Sequence, residues 1–441
     1  MNFNELNINK QLLNALNDLG FDNPTPIQSL IFPKIMSGKD VVGIAQTGTG
    51  KTFAYLLPII NQLKFSKQVT PRVLILVPTR ELVIQVCDEI KKLTTYVNLR
   101  STGIYGGANI SAQKNEIFQG TDILVATPGR LLDMILNGVL RLKSIQKLVI
   151  DEMDEMLALG FRSQLVSVLD LLPKKRQNLL FSATISEDIN NIIQIFFNQP
   201  ELAEVAASGT PLLSIEQQGF VVPNYHTKIN LLNHFLSQAE KFKKVLVFVR
   251  SKRMADMVFE QIKENYSEQI GVMHSNKTQN IRINTVNAFD KNTIRILIST
   301  DILARGLDIQ NISHVINFDI PFEPEDYIHR IGRTGRADMS GESITFITPE
   351  EKVFQIEIEK LMKISIPMIE MPKGVKISKL LLDEEIPKKP EVDYLKSVRK
   401  KIVKGSAFQE KSAKNSKVNL GGSYKRIIKA KYHKPKSKGN N

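Results

Sequence analysis

The sequence predicts an α/β protein with two parallel-sheet domains in tandem, followed by a basic C-terminal tail. Three observations carry that prediction. Short apolar runs recur along the chain, each ending in a polar cluster and separated from the next by a helical pattern, as parallel strands joined by crossover helices require. The pattern lapses over residues 203–216 and then resumes, so the chain divides in two. The charge is also segregated. The 441 residues carry 59 Lys+Arg and 45 Asp+Glu, a net of +14. From Leu361 onward there are 21 basic and 7 acidic residues, so the tail holds the whole excess. A basic tail points to a polyanionic partner, most often nucleic acid.

The elements follow in order. Leu6, Ile8, Leu12, Leu13, Leu16 and Leu19 fall at helical spacing, and Gly20 ends that helix. Pro24 and Pro26 then fix an extended path into a second helix carrying Gln28. A glutamine held on such a turn can hydrogen-bond adenine through both ends of its amide. Val41–Ile44 reads as a buried strand, Ala45-Gln46-Thr47-Gly48-Thr49-Gly50-Lys51-Thr52 as a glycine-rich turn, and Phe53 onward as a helix. Strand, glycine turn and helix in that order form a phosphate-binding loop. Its glycines let successive N–H groups face a phosphate, Lys51 supplies a full positive charge, and the Thr52 hydroxyl is placed for Mg²⁺. Ala45 stands where the general pattern has glycine.

Further strands are expected at Arg72–Val77, Arg100–Tyr105, Asp122–Ala126, Lys147–Ile150 and Leu179–Phe181. They end respectively in Pro78-Thr79-Arg80-Glu81-Leu82, Gly106-Gly107, Thr127-Pro128-Gly129-Arg130, Asp151-Glu152-Met153-Asp154 and Ser182-Ala183-Thr184. Ligands of parallel α/β sheets bind at the carboxyl ends of strands, so these clusters form one functional face. Asp151 is suited to hold Mg²⁺, and Glu152 to deprotonate an attacking water. In the second half, strands are expected at Val245–Val249, Ile294–Ser299, His314–Phe318 and Ser343–Ile347. The run His329-Arg330-Ile331-Gly332-Arg333-Thr334-Gly335-Arg336 packs three arginines that would repel one another without anions, and guanidinium groups suit phosphate oxygens.

These motifs, in this order and spacing, resemble the DEAD-box RNA helicases of superfamily 2 over about residues 3–355. The resemblance implies two RecA-like domains, at 1–207 and 213–360, with a linker at 208–212, a hinge near Ser208–Pro211 and a largely disordered basic tail at 361–441. It implies an RNA-stimulated ATP hydrolase that couples ATP, with Mg²⁺, to local duplex unwinding or remodelling of ribonucleoprotein. The catalytic set would be Lys51, Asp151, Glu152, Arg333 and Arg336, the two arginines acting as fingers on the γ-phosphate. Nucleotide contacts would come from Phe3, Phe21, Gln28, Thr47, Gly48, Thr49, Gly50, Lys51, Thr52 and Asp308, and metal contacts from Thr52 and Asp151 through water. RNA would meet Pro78, Thr79, Arg80, Gly106, Gly107, Thr127, Arg130, Arg250, Gln279, Arg282 and Thr300. Asp154, Ser182, Thr184, His329 and Arg330 would couple the domains.

The chain departs from the family pattern at Met153, Val83 and Ser275, where alanine, alanine and glycine are usual. Met153 is expected to leave ATP hydrolysis intact while changing how Asp154 meets Ser182 and Thr184. Phe408, Tyr424 and Tyr432 lie among tail lysines, a composition that suits stacking on unpaired bases. Lys396–Lys404 suggests a short basic helix. Two other readings fit: an RNA clamp without turnover, and a DNA helicase of the same superfamily. The glutamine motif and Pro-Thr-Arg-Glu-Leu argue against the second.

Composition sets the remaining bounds. A hydrophobic share of 42% is ordinary for a globular protein. No apolar run approaches a membrane span, and the N-terminus does not read as a secretory signal. A single cysteine, Cys87, excludes an intrachain disulfide and a cysteine-rich metal site, and reads as a small buried apolar residue. The expectation is a cytoplasmic monomer whose partner is single-stranded or short duplex RNA of little sequence preference, with ribosomal or RNA-decay complexes as settings.

Overall fold

The structure, a computed structural model, describes residues 2–45, 49–204, 215–301, 311–335 and 341–386. The chain forms two units, Met1–Asp383 and Glu384–Asn441, and the second is described only at 384–386. The expected hinge near Ser208–Pro211, Lys396–Lys404 and the tail aromatics lie outside the described residues.

The first unit contains two seven-stranded sheets whose pairings are all parallel. The first holds β1 (Val41–Ile44), β2 (Val73–Leu76), β3 (Ser101–Ile104), β4 (Ile123–Ala126), β5 (Lys147–Ile150), β6 (Gln177–Ser182) and β7 (Glu201–Glu204). The second holds β8 (Ile215–Val221), β9 (Val245–Phe248), β10 (Ile270–Met273), β11 (Ile296–Ser299), β12 (His314–Asn317), β13 (Gly341–Ile347) and β14 (Met368–Ile369). Their orders are β3-β4-β2-β5-β6-β1-β7 and β10-β11-β9-β12-β13-β8-β14. Counted from the first strand of each sheet, the two orders are the same, so one topology occurs twice.

The sequence explains why both faces are covered. In β2, Val73 and Ile75 enter one core while Leu74 and Leu76 enter the other. In β9, Val245 and Val247 separate from Leu246 and Phe248 in the same way. A continuous apolar strand therefore feeds two cores by simple alternation, which is how parallel sheets bury both faces.

Most strand ends shift by one or two residues from the sequence reading, and larger differences fall at a few boundaries. The expected helix over 6–19 is split into a 3-10 turn at Phe3–Leu6 and a helix at Lys10–Asp18. Asn7, at φ 54°, turns the chain between them, and Asn9 caps the second piece by accepting from the Leu12 N–H. The boundary at 360 falls inside the helix Lys352–Met362, and β14 then joins the second sheet beside β8. Residues 203–204 belong to β7 and 215–216 to β8, so strands occupy both edges of the stretch read as aperiodic.

Candidate functional site

Strand order sorts the motifs. The loops after β5, β6 and β1 are neighbours at one half of the first sheet, and those after β3, β4 and β2 at the other. The first group carries the phosphate-loop residues, Asp151–Asp154 and Ser182–Thr184. The second carries Gly106-Gly107, Thr127–Arg130 and Pro78–Leu82.

At the first group, Gly50 (φ 87°) precedes the helix Lys51–Gln62 and directs that helix's N-terminus at the loop. Lys51 is buried, and its Nζ has no hydrogen-bond partner among the described residues. A buried ammonium in that position fits an anion. Asp151 holds both carboxylate oxygens fixed: Oδ1 accepts the Glu152 N–H at 3.0 Å and Oδ2 accepts the Tyr55 hydroxyl at 2.9 Å. Burial raises the Asp151 carboxyl above its ordinary range, opposed chiefly by Lys51. Glu152 sits in the left-handed region (φ 51°, ψ 54°), a strained setting for a side chain with a Cβ. Burial pushes its carboxyl up to about 7, with Asp151 and Glu155 adding to the rise and Lys51 and Arg333 opposing it. Its Oε2 is buried without a hydrogen-bond partner among the described residues.

Gln28 is buried beside this loop. Its Oε1 accepts the Thr25 N–H at 3.0 Å, closing a capping box on the helix Pro26–Met36, and its Nε2 donates to the Gly50 carbonyl at 3.2 Å. One N–H and one lone pair of the amide remain for a base. Phe21 is 45% exposed and meets Phe53 edge-on at 5.3 Å, an aromatic surface open to an adenine. Phe3 is 3% exposed and packs in the first core, so its ring is not available to stack on a base.

At the second group, Arg80 lies over Gly107, where a Cβ would stand 2.0 Å from its Nη1. Only glycine (φ 78°) fits there. Arg130 donates to Gln113 Oε1 at 2.8 Å and to the Ala108 carbonyl at 3.4 Å. The Gly106–Ala108 turn thus lies between two arginines. Thr79 caps the helix Arg80–Leu93 by accepting the Leu82 N–H, and Thr127 stands at the N-cap of the helix Pro128–Leu136. On the second sheet, Arg250 and Thr300 line a cavity of about 1170 Å³ together with Ser251, Lys252 and Ser275.

Contacts cross between the two halves at both groups. Glu81 Oε1 takes the Arg282 guanidinium and, at 3.1 Å, the Gln279 amide, while Arg80 donates to Gln279 at 3.4 Å. His329 Nδ1 lies 2.9 Å from Glu155 Oε1, and its Nε2 lies 3.8 Å from Asp154 Oδ2. Asp154 Oδ2 in turn accepts the Ala183 and Thr184 N–H groups at 3.0 and 3.1 Å, and Ser182 Oγ accepts the Asp154 N–H at 3.3 Å.

Comparison with known proteins agrees with this geometry. Residues 25–192 match the DEAD/DEAH box helicase family, and residues 227–338 the helicase conserved C-terminal domain. The DEAD-box ATP-dependent RNA helicase CshA of Geobacillus kaustophilus is 40% identical over 350 residues, covering 79% of this chain and 74% of the relative. The chain belongs to the DEAD-box ATP-dependent RNA helicases. The ATP-dependent RNA helicase DeaD of Buchnera aphidicola is 37% identical over 385 residues, 87% of this chain but 63% of its own length. Among solved structures, S. cerevisiae Dbp5 bound to RNA and ADP BeF3 superposes with a TM-score of 0.75 at 26% identity, covering 84% of this chain and 95% of that one. Mss116 bound to single-stranded RNA and AMP-PNP gives 0.77 at 28% identity, covering 89% and 84%.

Within that family frame, several expected residues take other places. Thr47, Gly48, Asp308 and Arg336 lie outside the described residues. Arg330, expected to couple the domains, makes its hydrogen bonds inside the second. It pairs with both Asp301 oxygens, donates to Asn317 Oδ1 and the Asp319 carbonyl, and lies 5.1 Å from the Phe248 ring. A buried guanidinium needs such satisfaction, and these bonds, all inside the second half, account for four of its five N–H groups. Gln279 and Arg282, expected on RNA, are held by Glu81. Met153 is fully buried in the second core of the first sheet. Tyr55, Glu81, Gln113, Glu155 and Asp301 were not singled out by sequence, although Glu81 lies inside the quoted Pro78–Leu82 run. Their roles depend on partners 17 to 201 positions away.

Proposed function

We propose that this chain binds ATP between its two sheets, hydrolyses it in response to RNA, and uses closure of the cleft to loosen short duplexes or remodel ribonucleoprotein. One observation carries the reading. Lys51 Nζ is buried without a hydrogen-bond partner among the described residues, beside Asp151 and Glu152, and the charge of Arg333, from the second half, reaches Glu152. That grouping suits a polyphosphate with a charge-bearing transition state.

Phe21 and Gln28 receive the adenine, and Lys51 the outer phosphates. The residues fit magnesium as well: Asp151 presents two fixed oxygens, and Thr52 lies one turn before Tyr55. Among the described residues no group of three His, Cys, Asp or Glu could hold a metal alone. When bound there, magnesium neutralises charge on the phosphate oxygens. Glu152, held by its strained backbone, takes the proton of the attacking water. Arg333, with Arg336, stabilises charge on the transferred phosphoryl group.

Arg80, Gly106, Gly107, Thr127 and Arg130, with Arg250 and Thr300, offer cations, hydroxyls and backbone groups suited to phosphates and ribose. They carry little base information, so many RNA sequences should bind, and 2′-hydroxyl contacts separate RNA from DNA. The proposed setting is the cytoplasm, with the chain acting as a monomer on ribosomal or decaying RNA. No helix among the described residues is long and apolar enough to cross a membrane.

Steady-state ATP hydrolysis titrated with single-stranded RNA, beside a DNA strand of the same sequence, tests this reading. Stimulation by RNA and not by DNA is expected. RNA binding without stimulation would favour a clamp that does not turn over.

A further inference from the structure

Tyr55 stands one turn after Thr52 on the helix that opens the nucleotide site, and it is completely buried. A tyrosine at a core position carries one polar atom more than packing needs, and that atom must be satisfied. Here the partner is not a nearby carbonyl. The hydroxyl crosses to the end of β5 and donates to Asp151 Oδ2 at 2.9 Å. Asp151 Oδ1 is already taken by the Glu152 N–H. Two donors on opposite oxygens fix the plane of the carboxylate. The ring is braced by Phe181 of β6, at 5.2 Å and a tilt of 48°. Tyr55 therefore touches the carboxylate to which the metal is assigned, from one turn after Thr52 on the same helix.

We propose that Tyr55 is a positioning residue for the metal-holding carboxylate: its hydroxyl holds Asp151 in the orientation that magnesium requires before nucleotide arrives. This rests on the function proposed above. A carboxylate fixed in advance loses no rotational freedom when it takes the metal, and outer-shell partners of this kind are typically worth about 10- to 100-fold in metal affinity. The proposal separates the ring from the hydroxyl: the ring fills the core, and the hydroxyl alone orients Asp151.

Tyr55→Phe in the full chain keeps the ring and removes the donor. The readout is binding of a fluorescent ADP analogue, without turnover, across a magnesium titration. The magnesium concentration for half-maximal enhancement of binding is expected to rise about tenfold, while affinity measured in chelator stays as in the wild type. An unchanged magnesium midpoint overturns the proposal. So does an equal loss of affinity with and without magnesium, which would mean that the hydroxyl supports the pocket as a whole. A thermal melt of the variant separates core damage from the magnesium effect, because core damage lowers the midpoint of unfolding and leaves the magnesium midpoint in place. A wild-type protein that binds the analogue with no dependence on magnesium would overturn both this proposal and the metal assignment beneath it.

Discussion

Replacing Glu81 by alanine should open the cleft between the two halves. Glu81 Oε1 is the common acceptor for Arg282 and Gln279, so one carboxylate holds two groups from the opposite half. The Glu81 and Arg282 side chains are 5% and 8% exposed, so the pair is largely desolvated. Removing one member of a buried pair costs about 3–5 kcal/mol, because the other charge is left buried alone. Neither sheet contains both partners, so the loss falls on the assembled cleft and not on the folding of either half. At the lower end, about 3 kcal/mol, the closed population falls on the order of 100-fold relative to the open one. Dyes on Leu136→Cys and Val353→Cys, both exposed and on opposite halves, would report the change by single-molecule energy transfer in a Cys87→Ala background. Transfer efficiency is expected to shift when Glu81 is changed. The exchange Glu81→Arg with Arg282→Glu should restore part of the closed state. Identical transfer in the Glu81→Ala variant and its parent would refute the reasoning.

The other expectations concern chemistry. Glu152→Gln should bind ATP and RNA as before but lose roughly 10²–10⁴ in single-turnover hydrolysis; wild-type turnover would remove Glu152 as the base. Arg333→Ala should lose roughly 10³ or more in turnover while retaining ATP binding measured by fluorescence. Burial pushes the Cys87 thiol up to about 12, which leaves roughly one thiol in 10⁴ ionised at pH 8. Intact mass spectrometry should accordingly find it unmodified by iodoacetamide in the native protein and fully modified in urea. Deleting residues 385–441 should weaken RNA binding and flatten its dependence on salt; affinity unchanged across salt would assign the tail another role.

The readable and unreadable parts of this molecule differ in where their causes lie. β1 and β5 have the bounds expected from their apolar runs, because a strand buried on both faces writes its whole length in hydrophobic residues. β7 buries only Ala203, and β8 carries Glu216, Gln217 and Gln218 in its centre, so neither leaves such a trace. They form because β1 and β13 offer free edges to pair with, a cause that lies elsewhere in the chain. The site divides the same way. That Asp151 ends a strand is local information. That its second oxygen is held by Tyr55, 96 positions earlier, is not. Gln28 lies between these cases. Its place as the third residue of a capping box was legible in Thr25-Pro26-Ile27-Gln28, but its bond to the Gly50 carbonyl was not. That bond joins the turn carrying Gln28 to the glycine-rich loop. A base that draws on the Gln28 amide therefore also acts on the loop holding Lys51, so Gln28→Ala should weaken binding of nucleoside triphosphates other than ATP too. A loss confined to ATP would mean that Gln28 reads the base and nothing more.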